Sequence, residues 1–307
     1  MTTPLSESTD TLSTLSDQLA DAVESAGRAV VQVNGRPRRP SSGVVYAPTL
    51  VLVAEHALER EDDLTVETGS GSSLAAQLVG RDLASDLAVL RVPNLTAEPA
   101  RPAATPARVG QFVLAVGRPG DRELMASIGV VSAIGGPVRT RGGMLDQYIR
   151  TDATPYPGFS GGALIDVRGT VIGILTTGLT GGAPLAVPVA LAWRLAEPLA
   201  RQGYVPRGWL GIGSQPVRIP AGQRGGHVHE TGLLIVELAP DSPALRGGLL
   251  LGDILVTLAG QTVDNGEALQ ALLSGERVGR PVAVQVLRGG VHVTLEVTVG
   301  QRPGRFR

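Results

Sequence analysis

Between Ala29 and Val187 the apolar residues fall into short or alternating runs: Val30 to Val33, Val44-Val45, Leu50 to Val53, Leu64 to Val66, Leu87 to Val92, Phe112 to Val116 and Ile172 to Leu175. Gly, Pro, Asn and Asp separate them. Runs of this length bounded by turn formers read as strands, and so many in succession predict an antiparallel all-β body, most simply a barrel pair or a sandwich. The 41 Gly and 22 Pro among the 307 residues supply the turns.

Helical patterning flanks this body. Leu12, Leu15, Leu19, Ala22 and Val23 recur every three or four residues, which predicts an amphipathic helix between Leu12 and Val30 that packs on the β body. A second helix is expected from Val189 to Arg201, closed by Gly203, with Pro198 inside it as a conflicting signal. Pro206-Arg207-Gly208 reads as a linker.

Beyond the linker the pattern changes. Strands are expected at Leu233 to Leu238, Ile254 to Leu258, Val282 to Leu287 and Val291 to Val299, a Pro-Ala turn at Ser242 to Leu245, and a helix at Gly266 to Leu273. Arg288-Gly289-Gly290 turns the last hairpin. The expected organisation is an N-terminal segment with its helix (1–28), a β domain (29–204), a small α+β domain (205–301) and a tail (302–307).

Composition narrows the function. A formal net charge of -1, with no basic block interleaved with aromatics, disfavours nucleic acid and anionic membrane as partners. The absence of cysteine excludes disulfides, thiolate catalysis and Cys-based zinc sites. His227-Val228-His229 reads as a surface loop, without the Cys or carboxylates that would complete a metal site. No metal or other cofactor is expected. Met1 to Asp10 lacks the pattern of a secretory signal and no stretch is long enough to span a bilayer, so the default location is cytoplasmic. A removed export signal would leave the same picture and place the protein in the periplasm or outside the cell.

Three stretches carry chemistry: Leu52-Val53-Ala54-Glu55-His56-Ala57, Ser85-Asp86-Leu87-Ala88-Val89-Leu90 and Pro157-Gly158-Phe159-Ser160-Gly161-Gly162-Ala163. A serine oxygen needs a base to take its proton and a third group to orient that base, roles that His56 and Asp86 fit with Ser160 as nucleophile. The N–H groups of Gly158 and Ser160 can form an oxyanion hole, where one lost donor typically costs about 3 to 4 kcal/mol of barrier. Singly, each of these residues has a plain structural reading. Jointly, in this order within a strand-rich segment, they point to a serine protease.

Residues from about Leu12 to Tyr204 resemble the protease domain of the HtrA/Deg family of trypsin-like serine proteases. The likeness rests on Ala29-Val30-Val31-Gln32-Val33, Ser42-Gly43-Val44-Val45, the run from Val79 to Leu90, Thr151-Asp152-Ala153 and Gly158 to Gly162, then Val171 to Ile174 and Leu185 to Pro188. It implies a trypsin-like double six-stranded antiparallel β-barrel with a His56, Asp86 and Ser160 triad and the Gly158 and Ser160 oxyanion donors. It carries the substrate pocket onto Thr154 at its floor and onto Thr176, Thr177 and Gly178. Thr176 also falls where such proteases place a hydroxyl near the aspartate, and Thr177 to Gly182 reads as a rim loop. A neutral floor implies small or medium apolar side chains before the cut. Phe159 stands where the family usually has Asn, and Ala163 where Pro is frequent; the ring is expected to pack and lock the turn, the other outcome being a collapsed hole.

Arg207 to Gly300 resembles a PDZ domain. On that likeness Trp209, Leu210, Gly211 and Ile212 form the loop that captures a peptide C-terminal carboxylate, and a strand edge adds the peptide. Leu269 and Leu273 on the helix are candidates for the groove wall or for plain core. The implied function is an ATP-independent serine endopeptidase acting on unfolded or damaged protein, with peptide C-termini as PDZ ligands. A homotrimer is a candidate assembly, although the first 45 residues carry no aromatic side chain. The alternative on the same fold is a binding or holdase protein whose oxyanion loop is disabled. A third reading takes Gly158 to Gly162 as the G-x-S-x-G elbow of an α/β-hydrolase, which requires a parallel sheet and a histidine after the serine, His227, His229 or His292.

Overall fold

The computed structural model describes residues 6–37, 39–120, 123–179, 184–224, 230–273 and 277–301. The chain divides between Val205 and Pro206 into two compact units. His227, Val228 and His229 lie outside the described residues, as do 180–182 of the expected rim loop.

The first unit opens with helix α1 (Ser6–Gly27). Its C-terminal half buries Ala22 and Ala26 against the β body, while Leu12 and Leu15 on the first half stay exposed. Strands β1 (Val30–Asn34), β2 (Ser41–Ala47), β3 (Leu50–Ala54), β4 (Leu64–Glu67), β5 (Ser73–Asp82) and β6 (Leu87–Arg91) come next. They close into an antiparallel barrel in the order β1-β2-β3-β6-β5-β4. Alternation sorts the side chains: Val31, Val33, Val51, Val53, Ala88 and Leu90 fill one core cluster, while Val30, Leu52, Leu87 and Val89 join another that includes residues of the second barrel.

The second barrel is built from β7 (Phe112–Gly117) and β8 (Met125–Gly135), then, after the short β9 (Val138–Thr140) and β10 (Gly143–Leu145) hairpin, β11 (Tyr148–Thr151), β12 (Ala163–Asp166), β13 (Val171–Thr176) and β14 (Leu185–Pro188). Its closed order is β11-β14-β13-β12-β7-β8. Helix α2 (Val189–Gln202) completes the unit and ends at Gly203, which takes the left-handed conformation with its N–H on the Leu199 carbonyl, as the Gly signal predicts. Pro198 is accommodated within the helix. This is the double six-stranded antiparallel barrel expected from the sequence. The named strand pairings are antiparallel throughout, which removes the α/β-hydrolase alternative with its parallel sheet.

The second unit pairs β15 (Gly208–Trp209) with a terminal strand and builds one sheet from β16 (Ile212–Arg218), β17 (Thr231–Leu238), β18 (Ile254–Leu258), β19 (Gln261–Thr262), β20 (Pro281–Arg288) and β21 (Val291–Thr298). Between these lie α3 (Pro243–Arg246) and α4 (Gly266–Leu273), and β22 (Gly300–Gln301) is the partner of β15. The expected Pro-Ala turn is helical because Ser242 caps it, accepting the Leu245 N–H, and Pro243 occupies the first turn, where no N–H is needed. Its core gathers Leu210, Leu233, Leu255, Leu269, Leu273, Val284 and Val297.

Candidate active site

His56 and Asp86 meet because of strand register. β3 and β6 are antiparallel neighbours with Ala54 opposite Leu87, so the residues just past Ala54 face those just before Leu87. The ladder continues one step, with Glu55 N–H on the Asp86 carbonyl at 2.9 Å. β3 then runs into one turn of 3-10 helix, Glu55–Ala57, which carries His56. Before β6, Asp82 accepts both the N–H and the hydroxyl of Ser85, at 3.0 and 2.6 Å. That turn delivers Asp86 in the left-handed region at φ 55, which aspartate tolerates better than most side chains.

Every polar atom of Asp86 near the histidine is used. Oδ1 accepts the His56 backbone N–H at 2.9 Å, and Oδ2 lies 2.6 Å from His56 Nδ1 and also accepts the Thr176 hydroxyl. The Thr176 oxygen in turn accepts the Gly178 N–H at 3.0 Å. With Asp86 4% exposed, water has little access to compete for these bonds, and the imidazole is fixed in plane and in the tautomer with the proton on Nδ1. A β-carbon at Gly178 would lie 2.4 Å from His56 Nδ1 and 2.7 Å from Asp86 Oδ2, so only glycine lets this backbone lie on the pair.

Ser160 comes from the second barrel. It sits in the turn leading into β12, with its carbonyl accepting the Ser42 N–H of β2 at 3.2 Å. Its hydroxyl lies 3.2 Å from Thr177 Oγ1, its hydrogen-bond partner among the described residues. Thr176, Thr177 and Gly178 therefore run directly past all three of Asp86, Ser160 and His56. Within Tyr156-Pro157-Gly158-Phe159 the Phe159 N–H returns to the Tyr156 carbonyl at 3.0 Å, and Gly158 has φ +87. Proline then glycine at the centre, the glycine with positive φ, is the signature of a type II turn. Among the described residues the N–H groups of Gly158 and Ser160 have no protein acceptor.

Phe159 packs as the sequence leads one to expect. It is fully buried inside the second barrel with Val113, Ala115, Ile149 and Leu164, and Tyr156 meets it edge-on at 5.4 Å. The ring anchors the turn from below while its backbone stays in place. Arg118, buried nearby, directs Nε to the Val30 carbonyl at 3.0 Å, and burial pulls its guanidinium below its ordinary pKa.

Thr154, expected at the pocket floor, is exposed, next to the buried Ala153. Leu269 and Leu273 are 3% and 2% exposed and belong to the core cluster of the second unit. Leu210 is also core, whereas Trp209 and Ile212 are half-buried. The carbonyls of Leu210 and Gly211 hold the N–H groups of Ala244 and Ala239, both at 2.8 Å.

Paired antiparallel barrels, one supplying a His-Asp pair and the other a serine in a Gly-rich turn, define the trypsin-like serine protease class. Residues 41–174 match the family model of a trypsin-like peptidase domain and residues 208–299 that of a PDZ domain. The chain belongs to the HtrA/DegP-like serine proteases, trypsin-like domain followed by PDZ domain. It is 36% identical over 273 residues to a probable periplasmic serine endoprotease DegP-like of Halomonas elongata, covering 86% of this chain and 56% of that protein. A DegP-like protein of Ectopseudomonas mendocina is 32% identical with the same coverage. The chain thus spans a little over half the length of these curated relatives. Among solved structures, the HtrA-type protease AlgW with tripeptide has a TM-score of 0.77 at 31% identity, covering 93% of this chain and 98% of that one. The serine endoprotease from Yersinia pestis has a TM-score of 0.75 at 28% identity, with the same coverage. The relatives are described as periplasmic, which does not support the cytoplasmic default; no described helix is long and apolar enough to cross a membrane.

Proposed function

We propose that this protein is an ATP-independent serine endopeptidase that cleaves unfolded or damaged proteins, and that its PDZ domain binds peptide C-termini. The observation that carries the reading is the Asp86 carboxylate paired with His56 Nδ1 at 2.6 Å in a buried setting, together with a serine on Thr177, one residue from the Thr176 that bonds Asp86, whose turn leaves two N–H groups uncommitted among the described residues. In the reaction Ser160 Oγ attacks the scissile carbonyl while His56 Nε2 takes its proton. Asp86 stabilises the imidazolium, and the N–H groups of Gly158 and Ser160 receive the oxyanion. His56 then protonates the leaving amine, and water attacks the acyl-enzyme by the same route. Ser160 Oγ lies 3.2 Å from Thr177 Oγ1, where either hydroxyl can donate, and attack requires the Ser160 proton to face His56 Nε2.

On the second unit, the N–H groups of Leu210 and Gly211, uncommitted among the described residues, support a carboxylate-binding loop, and AlgW structures with decapeptide and tripeptide support peptide recognition within the family. Periplasmic residence and assembly as a homotrimer belong to the same proposal, the first supported by the description of the relatives. Incubation with casein tests the activity. Fragments that appear with the wild type and vanish with Ser160→Ala are expected. Casein that is bound but left intact by the wild type, with a peptide activator present, would instead favour the holdase reading, against which the packed Phe159 ring argues.

A further inference from the structure

Ser42 touches the nucleophile turn at both residues whose N–H groups are proposed to receive the oxyanion. Its hydroxyl lies 2.8 Å from the Gly158 carbonyl and 2.8 Å from the Arg118 backbone nitrogen, and its own N–H donates to the Ser160 carbonyl at 3.2 Å. The direction of these bonds is fixed by chemistry: a backbone N–H can only donate and a carbonyl can only accept, so the hydroxyl accepts from Arg118 and gives its proton to Gly158. Ser42 is 0% exposed, so no water can replace either bond. Arg118 is itself held, with its guanidinium on the carbonyls of Val30 at 3.0 Å and Gly27 at 3.2 Å. A rigid path therefore runs from the first strand through Arg118 and Ser42 to the turn.

We infer that Ser42 is a positioning residue for the oxyanion hole: its side chain on β2 holds the Gly158 carbonyl and its backbone holds the Ser160 carbonyl, so that the first barrel fixes, residue by residue, the turn whose Gly158 and Ser160 N–H groups are the proposed donors. The Tyr156–Phe159 hydrogen bond closes the turn on itself but does not orient it relative to the His56 barrel; Ser42 does. Without the hydroxyl, the Gly158 carbonyl loses its buried donor, and the turn, still anchored by the Phe159 ring, is no longer tied through Gly158 to the His56 barrel. The inference rests on the protease reading above.

The test compares wild type, Ser42→Ala and Ser42→Cys for cleavage of a fluorogenic peptide, inhibition by a peptide boronic acid that forms a tetrahedral adduct, and thermal midpoint. Removing the hydroxyl is expected to lower kcat by about 10- to 100-fold with KM changed less than about threefold, and to weaken the boronate by a similar factor. Ser42→Cys keeps the shape with a weak donor and is expected to fall between, which preserves the test should Ser42→Ala fail to fold. A wild type that cleaves, with kcat in a folded Ser42 variant within about threefold of it, would overturn the inference alone. A loss in the variants confined to KM or to thermal midpoint would overturn it too. A wild type that neither cleaves nor binds the boronate would overturn the protease reading and this inference with it.

Discussion

Asp86 is held through its carbonyl by Glu55, through one carboxylate oxygen by the His56 backbone, and through the other by the imidazole and Thr176. So many restraints on one side chain leave the imidazole little freedom, and small additions beside it have large effects. Gly178→Ala is expected to push a methyl into Nδ1 and to lower kcat/KM by about 100-fold or more, with a fall in thermal midpoint of a few degrees from the clash. Peptide-cleavage kinetics beside a melting curve check this. Thr177→Val removes the hydroxyl that competes for Ser160, and the rate of fluorophosphonate labelling is expected to rise about 2- to 10-fold, the worth of one net hydrogen bond. An unchanged or lower rate would contradict Ser160 as the donor of that bond. At this scale His56, Asp86 and Ser160 stand out in the sequence as candidates because their residue types and flanking patterns suit the proposed chemistry, and the structure pairs the first two. Thr177 and Ser42 were not legible as contacts, since each meets its partner through the closing of barrels rather than through a local motif.

Elements show where periodicity succeeds and fails. β3, β6 and β18 stand out because their runs are buried on both faces. β5 and β8 are not marked out by periodicity: both expose or half-expose most of their length and intersperse Ala, Ser and Gly among their apolar residues, which breaks the alternation. The nucleophile turn is an element of its own, with a Pro-Gly centre readable in sequence and an aromatic anchor readable only as an expectation. Phe159→Ala empties a fully buried site, and a loss of about 3 to 5 kcal/mol of stability is expected by chemical denaturation. Phe159→Leu should cost less and retain part of the activity. If Phe159→Ala were neutral in stability, the ring would not be the anchor of the turn.

For the whole molecule, the sequence conveyed two bodies of different pattern, and the closure of each barrel came from strand order that no single run encodes. The second unit carries its own electrostatic clamp. Asp253, nearly fully buried, accepts Arg288 Nε and Nη2, both at 2.8 Å, and the Leu250 N–H at 2.9 Å. Burial alone would raise the pKa of this carboxyl, but the Arg288 and Leu250 bonds outweigh it and hold it below the ordinary carboxylate value. A depressed folded-state pKa means that the contribution to stability is fully present above about pH 4, the unfolded value, and is lost as pH falls through the folded one. Asp253→Asn is expected to destabilise this unit by about 2 kcal/mol at neutral pH, discounting for the partly exposed Arg288, and to flatten its acid sensitivity. Hydrogen exchange at β18 and β20, tracked from pH 7 to below pH 4, reads both effects. Equal acid slopes in variant and wild type would contradict them.

The central claim is that His56 activates Ser160 for attack on an acyl centre. Peptide mapping by mass spectrometry after treatment with a fluorophosphonate tests it most directly. One adduct is expected in the wild type, on Ser160, and essentially none in Ser160→Ala or His56→Ala. An adduct on another residue, no adduct at all, or labelling of His56→Ala at the wild-type rate would contradict it.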